Sequence, residues 1–165
     1  MMTSRWIKYF FKMAKLVASQ SKDPSTKVGC VVTDSLNRVL ATGYNGFPRG
    51  VQDTEDRYND RSVKYKLVVH AEANAVCMAA SSGVNLTGAT IYITSMPCPE
   101  CAKLIVQSGI RTVYYIRPSD EERKRRREKK DGAVDWLHDA SVNSLLMFEE
   151  ACVAYYEMTE EVYDE

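Results

Sequence analysis

The chain has 165 residues, 45% hydrophobic and 27% charged, an ordinary globular composition long enough for one well-packed domain. Its 22 basic residues balance 22 acidic ones, which argues against wholesale nucleic-acid binding, where affinity comes largely from phosphate neutralisation. Apolar runs fall short of the ~18 residues of a membrane span, Arg5, Lys8, Lys12 and Lys15 interrupt what would be a signal peptide's core, and the odd count of five Cys fits a reducing, cytoplasmic setting better than a disulfide scaffold.

Trp6, Ile7, Phe10, Phe11, Ala14, Leu16 and Val17 recur at helical spacing. They predict an amphipathic helix with Thr3 or Ser4 as N-cap, ended by Asp23-Pro24. Val28–Val32 and Val39–Tyr44 read as two strands of a hairpin around an Asp34–Asn37 turn, with Cys30 a buried small hydrophobe. Residues 47–69 are polar and irregular, tied down at the end by Tyr65, Leu67 and Val69. A connection of that length inside a compact domain is usually functional or disordered. Ala71–Ala80 predicts a helix, in which Cys77 packs into the core, too far along the axis to join a ligand at His70. Thr90–Thr94 is a strand, Pro99–Gln107 a helix stopped by Gly109, and Arg111–Ile116 another strand. Residues 123–130 form a basic run with interleaved acids, read as a solvated segment. His138 has no ligand spacing and reads as structural. Ala140–Cys152 is an amphipathic helix through Leu145, Leu146, Phe148 and Ala151, and residues 153–156 a final strand. The pattern is a hairpin followed by alternating helices and strands, an α/β layered domain with parallel crossovers. It gives one domain over residues 1–165, with its core at about 5–156, a charged segment at 119–131 and a frayed acidic tail at 157–165.

Two motifs carry chemistry: His70-Ala71-Glu72 and Pro97-Cys98-Pro99-Glu100-Cys101. One imidazole and two thiolates are three good zinc ligands; a structural site closes with four protein ligands, a catalytic one keeps a position open. Asn74 and Ala71 stand where the HExxH motif needs His and Glu, and no second CxxC or paired His supports a structural ribbon. The arrangement H-x-E…P-C-x-x-C is that of zinc nucleobase deaminases. Cys98 falls at a helix cap and Cys101 one turn later, where the positive helix end favours thiolates. Glu72 is placed to move protons.

On these motifs, with Lys27-Val28-Gly29-Cys30 and Gly43-Tyr44-Asn45-Gly46, the chain resembles the deoxycytidylate deaminases of the cytidine deaminase-like superfamily over roughly residues 5–156. The resemblance implies a three-layer α/β/α fold with a five-stranded mixed sheet, and hydrolysis of dCMP to dUMP and ammonia for thymidylate synthesis. It further implies a hexamer, activation by dCTP, inhibition by dTTP, and Mg²⁺ on the effector phosphates. Residue by residue, it makes His70, Cys98 and Cys101 the Zn²⁺ ligands and Glu72 the proton shuttle. Asn45, the Ala71 backbone, Thr26 and Lys27 become the substrate contacts, and Gly43, Tyr44, Asn45, Gly46, Arg49 and Asp53 the effector region. No second zinc is expected in the 47–69 insert, and no membrane or nucleic-acid partner. The zinc motif does not separate dCMP from dCTP, nucleoside or tRNA adenosine deaminases, and a zinc-stabilised nucleic-acid-binding module stands as the alternative of another class.

Overall fold

A computed structural model describes residues 4–119 and 140–163; the basic run and His138 lie outside these. The hairpin forms as the sequence predicts. β1 (Gly29–Thr33) and β2 (Val39–Tyr44) pair antiparallel, with a bulge where Val32 faces Ala41 and Thr33 faces Val39. The Asp34 carboxylate closes the turn by accepting from the Leu36 and Arg38 backbone N–H groups, both at 2.9 Å. β3 (Thr90–Ile93) joins β1 antiparallel, β4 (Thr112–Ile116) joins β3 in parallel, and β5 (Ala154–Met158) joins β4 in parallel. The result is a five-stranded mixed sheet in the order β2-β1-β3-β4-β5.

Both sheet faces are covered, which is why its central strands read as continuous apolar runs rather than alternating ones. Cys30, Val32, Ile91, Ile93, Val113 and Tyr115 face one layer, made of α4 (Ala71–Ser81), α5 (Pro99–Gln107) and α6 (Leu145–Glu150). Val31, Tyr92, Tyr114 and Ile116 face the other, where α1 (Ser4–Ala18) inserts Phe10, Phe11 and Ala14. On that side Tyr92, Tyr114 and Tyr156, opposite one another on three strands, stack at 5.1 and 4.8 Å between ring centroids.

The structure departs from the sequence reading in several places. α1 ends at Ala18, before Asp23-Pro24, and leaves Leu16 exposed. The insert is not irregular: α2 (Glu55–Asn59) and α3 (Arg61–Leu67) occupy it, with Asp60 capping α3 through the Ser62 and Val63 N–H groups. Its anchors are Tyr58 and Lys64, whereas Tyr65 is 70% exposed. Cys77 lies on the outer face of α4. The last helix opens with a π-helical turn at Ala140–Ser144 and exposes Leu146. The acidic end does not fray at Glu157: β5 runs to Met158, and Glu160–Tyr163 turns back to bury Val162 against α1.

Candidate metal centre

Two loops bring the motifs together at one end of the sheet. β3 ends at Ile93 and leads through Pro97 to Cys98, the N-cap of α5, with Pro99 in the first turn. The second loop passes through α3, after which Val69 pairs with Gly46 in both directions, at 2.8 and 3.1 Å, and His70 caps α4. Neither cap residue bonds its own helix through its side chain. The imidazole and the thiol therefore stay available, while both helices point their positive ends at the space between them.

His70 Nδ1 lies 3.4 Å from Cys98 Sγ and 3.5 Å from Cys101 Sγ, and all three ligand atoms fall within 4.8 Å of one another. Zn–S and Zn–N bonds at the tetrahedral angle place N and S about 3.6 Å apart, so these separations are those of a zinc tetrahedron's edges. Among the described residues no fourth His, Cys, Asp or Glu joins the group. His70 is exposed, Cys98 half-buried and Cys101 buried, so the cluster opens to solvent on the imidazole side.

Within the cluster a hydrogen bond from the Cys101 thiol, with a second from His70, pushes the Cys98 thiol well below its usual range. Cys101, which keeps the proton it donates, is driven up. The Glu72 carboxyl is 3% exposed and lies within hydrogen-bonding reach of Cys101; burial raises its pKa, with the His70 charge and its own backbone N–H pulling the other way. Two thiols and a carboxyl crowded this closely repel one another when ionised, and a divalent cation relieves that repulsion. The donor set therefore fits zinc.

The remaining expected site residues are placed unevenly. Ala71 is buried at the first helical position, and its carbonyl accepts from the Cys30 thiol at 3.3 Å, leaving its N–H at the open helix end. Asn45 is buried and its amide is already engaged: Oδ1 accepts from Val28 N at 2.8 Å and Nδ2 donates to the Thr26 carbonyl at 2.9 Å. Thr26 and Lys27 are exposed on the loop that Asn45 holds. Gly43 is buried against α4, where an added Cβ would meet the Ala71 carbonyl oxygen at 2.1 Å. Tyr44 and Arg49 are exposed, and Asp53 pairs with Lys22 at 3.2 Å. Sequence reasoning passed over two supports. Ser144 Oγ, buried in the π-helical turn, donates to the Pro97 carbonyl at 3.0 Å, one residue from the Cys98 ligand. Lys64 and Asp23 form a buried ion pair at 2.7 Å beside Asn45. Nothing in the polar insert, where Lys64 stands beside Lys66 and three arginines, singled out the second.

The sequence profile of the cytidine and deoxycytidylate deaminase zinc-binding region matches residues 4–117. A protein named "Uncharacterized deaminase in luxG 3'region" from Aliivibrio fischeri is 43% identical over 141 residues, covering 86% of this chain and 92% of that one. Human deoxycytidylate deaminase is 40% identical over 116 residues, covering 67% of this chain and 64% of its own length; against that relative the chain spans less than two thirds. Among solved structures, the dCMP deaminase of cyanophage S-TIM5 in complex with dCMP and dUMP superposes with a TM-score of 0.71 at 25% identity, over 96% of this chain and 100% of that one.

Proposed function

The chain belongs to the cytidine and deoxycytidylate deaminase family, and from that membership we propose that it is a zinc-dependent deaminase that hydrolyses dCMP to dUMP and ammonia. One observation carries the chemistry: a buried carboxyl, Glu72, beside a His-Cys-Cys cluster that no fourth protein ligand closes among the described residues. When bound, zinc supplies Lewis acidity, which makes water a competent nucleophile near neutral pH.

The protein's own groups do the rest. Glu72 accepts the proton of the water that attacks C4 of the cytosine and delivers it to N3. It then passes the water's second proton to the exocyclic nitrogen, the C4–N bond breaks, and ammonia leaves. Burial suits Glu72 to this work, because a carboxyl with a raised pKa both takes and returns a proton. The N–H of Ala71, left without an intrahelical acceptor at the first position of α4, meets the pyrimidine edge. Asn45 orders the loop that faces the sugar, and Thr26 and Lys27 meet the phosphate.

The same proposal includes regulation. dCTP activates and dTTP inhibits, with Mg²⁺ on their phosphates, at the surface formed by Tyr44, Arg49 and Asp53, while Gly43 and Gly46, both buried, serve packing. The active form is a cytoplasmic hexamer that supplies dUMP for thymidylate synthesis. Its support is the family resemblance, together with the exposure of Tyr44, Arg49 and Asp53. Ammonia release from dCMP, dCTP, deoxycytidine and CMP, with and without dTTP, tests the reading. The expected result is fastest turnover of dCMP and its suppression by dTTP. Zinc-loaded protein that releases ammonia from none of the four overturns the reading.

A further inference from the structure

α3 buries a lysine rather than an aromatic. The Lys64 side chain is 10% exposed and that of Asp23 1%. Lys64 Nζ donates to Asp23 Oδ1 at 2.9 Å, to Asp23 Oδ2 at 2.7 Å and to Ser25 Oγ at 2.7 Å, which engages all three of its protons. Asp23 Oδ1 also accepts from Ser25 N at 2.9 Å, Ser25 Oγ at 2.9 Å and Thr26 N at 3.2 Å, while Oδ2 lies 3.4 Å from Asn45 Nδ2. A buried ion pair contributes little net stability over an apolar pair of the same shape. Anchoring α3 therefore does not require one.

The charges add direction. They tie three segments into a closed ring: Lys64 on α3, the 23–26 turn, then Asn45. From there Gly46 pairs with Val69, two residues past the end of α3 and one before His70. Thr26 and Lys27 are exposed on the held turn, and among the described residues neither side chain has a hydrogen-bond or ion-pair partner. The ring thus fixes the distance between those two side chains and the His70 end of the site.

We propose that Asp23 and Lys64 are positioning residues that hold Thr26 and Lys27 in place for the 5′-phosphate of the substrate, and so set affinity for a nucleotide without taking part in proton transfer. This rests on the dCMP reading above. Lys64→Met should raise the KM for dCMP and the Kd for dUMP about tenfold in step, with kcat within about threefold and one zinc retained per chain. Lys64→Arg, which keeps the charge, should recover part of the loss. Because the pair acts through Lys27, Lys27→Ala combined with Lys64→Met should weaken dUMP binding little more than Lys64→Met alone. Additive losses in that cycle overturn the proposal, as does a Lys64→Met protein whose kcat and zinc content fall together while the Kd for dUMP stays put. If Lys64→Met fails to fold, Ser25→Ala removes the hydroxyl's bonds to Lys64 and to Asp23 while leaving the ion pair itself, and decides the matter by a two- to fivefold rise in the same Kd, or by none. A wild-type chain that neither binds dUMP nor deaminates dCMP refutes the functional reading instead.

Discussion

Gly43 is where the sheet and the metal centre share an atom's worth of space. A Cβ there would stand 2.1 Å from the Ala71 carbonyl oxygen and 2.6 Å from the Ala75 nitrogen, both backbone atoms of the first turns of α4. Restoring ordinary contact at 3.4 Å needs α4 to retreat by about 1.3 Å. That helix carries His70 and Glu72, whereas Cys98 and Cys101 belong to α5 and do not move with it. A displacement of this size spoils His70–thiolate separations of 3.4 and 3.5 Å that now fit a zinc tetrahedron, and misplacement by about 1 Å alone costs about 10²-fold in rate. Gly43→Ala should therefore lower stability by about 3 kcal/mol, the upper end for overpacking, weaken zinc binding, and cut kcat/KM at least about a hundredfold. Gly29→Ala is the matched comparison, because its Cβ would meet Ala14 O at 2.3 Å and Ala18 N at 2.4 Å on α1, across the sheet. It should destabilise by a similar amount while the folded protein keeps zinc and turnover. Thermal unfolding, metal analysis and ammonia release read both variants. Gly43→Ala with full zinc and wild-type turnover refutes the reasoning.

Glu72→Gln, which keeps shape and burial, should retain one zinc and lose about 10²- to 10⁴-fold in kcat; metal analysis beside single-turnover kinetics checks both halves. Removing the metal with a chelator should abolish ammonia release and zinc addition should restore it, while the Cys98 and Cys101 thiols, unlike exposed Cys77 and Cys152, become titratable only in the stripped protein. Acid stability should depend on Asp23. Burial alone would raise its pKa, but hydrogen bonds from Lys64 and Ser25 outweigh that and hold it below 3.8. Its stabilising contribution is then present above about pH 4 and lost as pH falls through the lowered value. Melting temperature followed from pH 5 to 2 should drop less steeply in Asp23→Asn than in wild type.

The parts of the fold that were legible share a cause. The central strands are specified by local apolar runs, α4 by a helix-favouring stretch without a breaker, α5 by Pro99 at its start and Gly109 past its end, and the ligands by spacing within two short motifs. The insert escaped because α2 and α3 hold themselves by one buried Tyr58 and by an ion pair whose members stand 41 residues apart; no period records such a contact. Cys77 misled for a related reason. Counting seven residues from His70 assumes that His70 is helical, yet as N-cap it has ψ of 158° and lies outside the 3.6 repeat. Measured from Ala71, Ala75 and Ala79, which are buried, position 77 faces away. Asn45 appeared in the sequence as a contact for substrate, and the fold shows what else its amide does, holding Val28 and Thr26.

The most direct test of the account is the coordination sphere itself, read by X-ray absorption at the zinc edge of the purified protein. Two sulfur scatterers at about 2.3 Å with two light atoms at about 2.0 Å, one of them exchangeable with solvent, is the sphere that His70, Cys98 and Cys101 provide with one position left open. A sphere of four protein ligands, a single sulfur, or no bound zinc contradicts it.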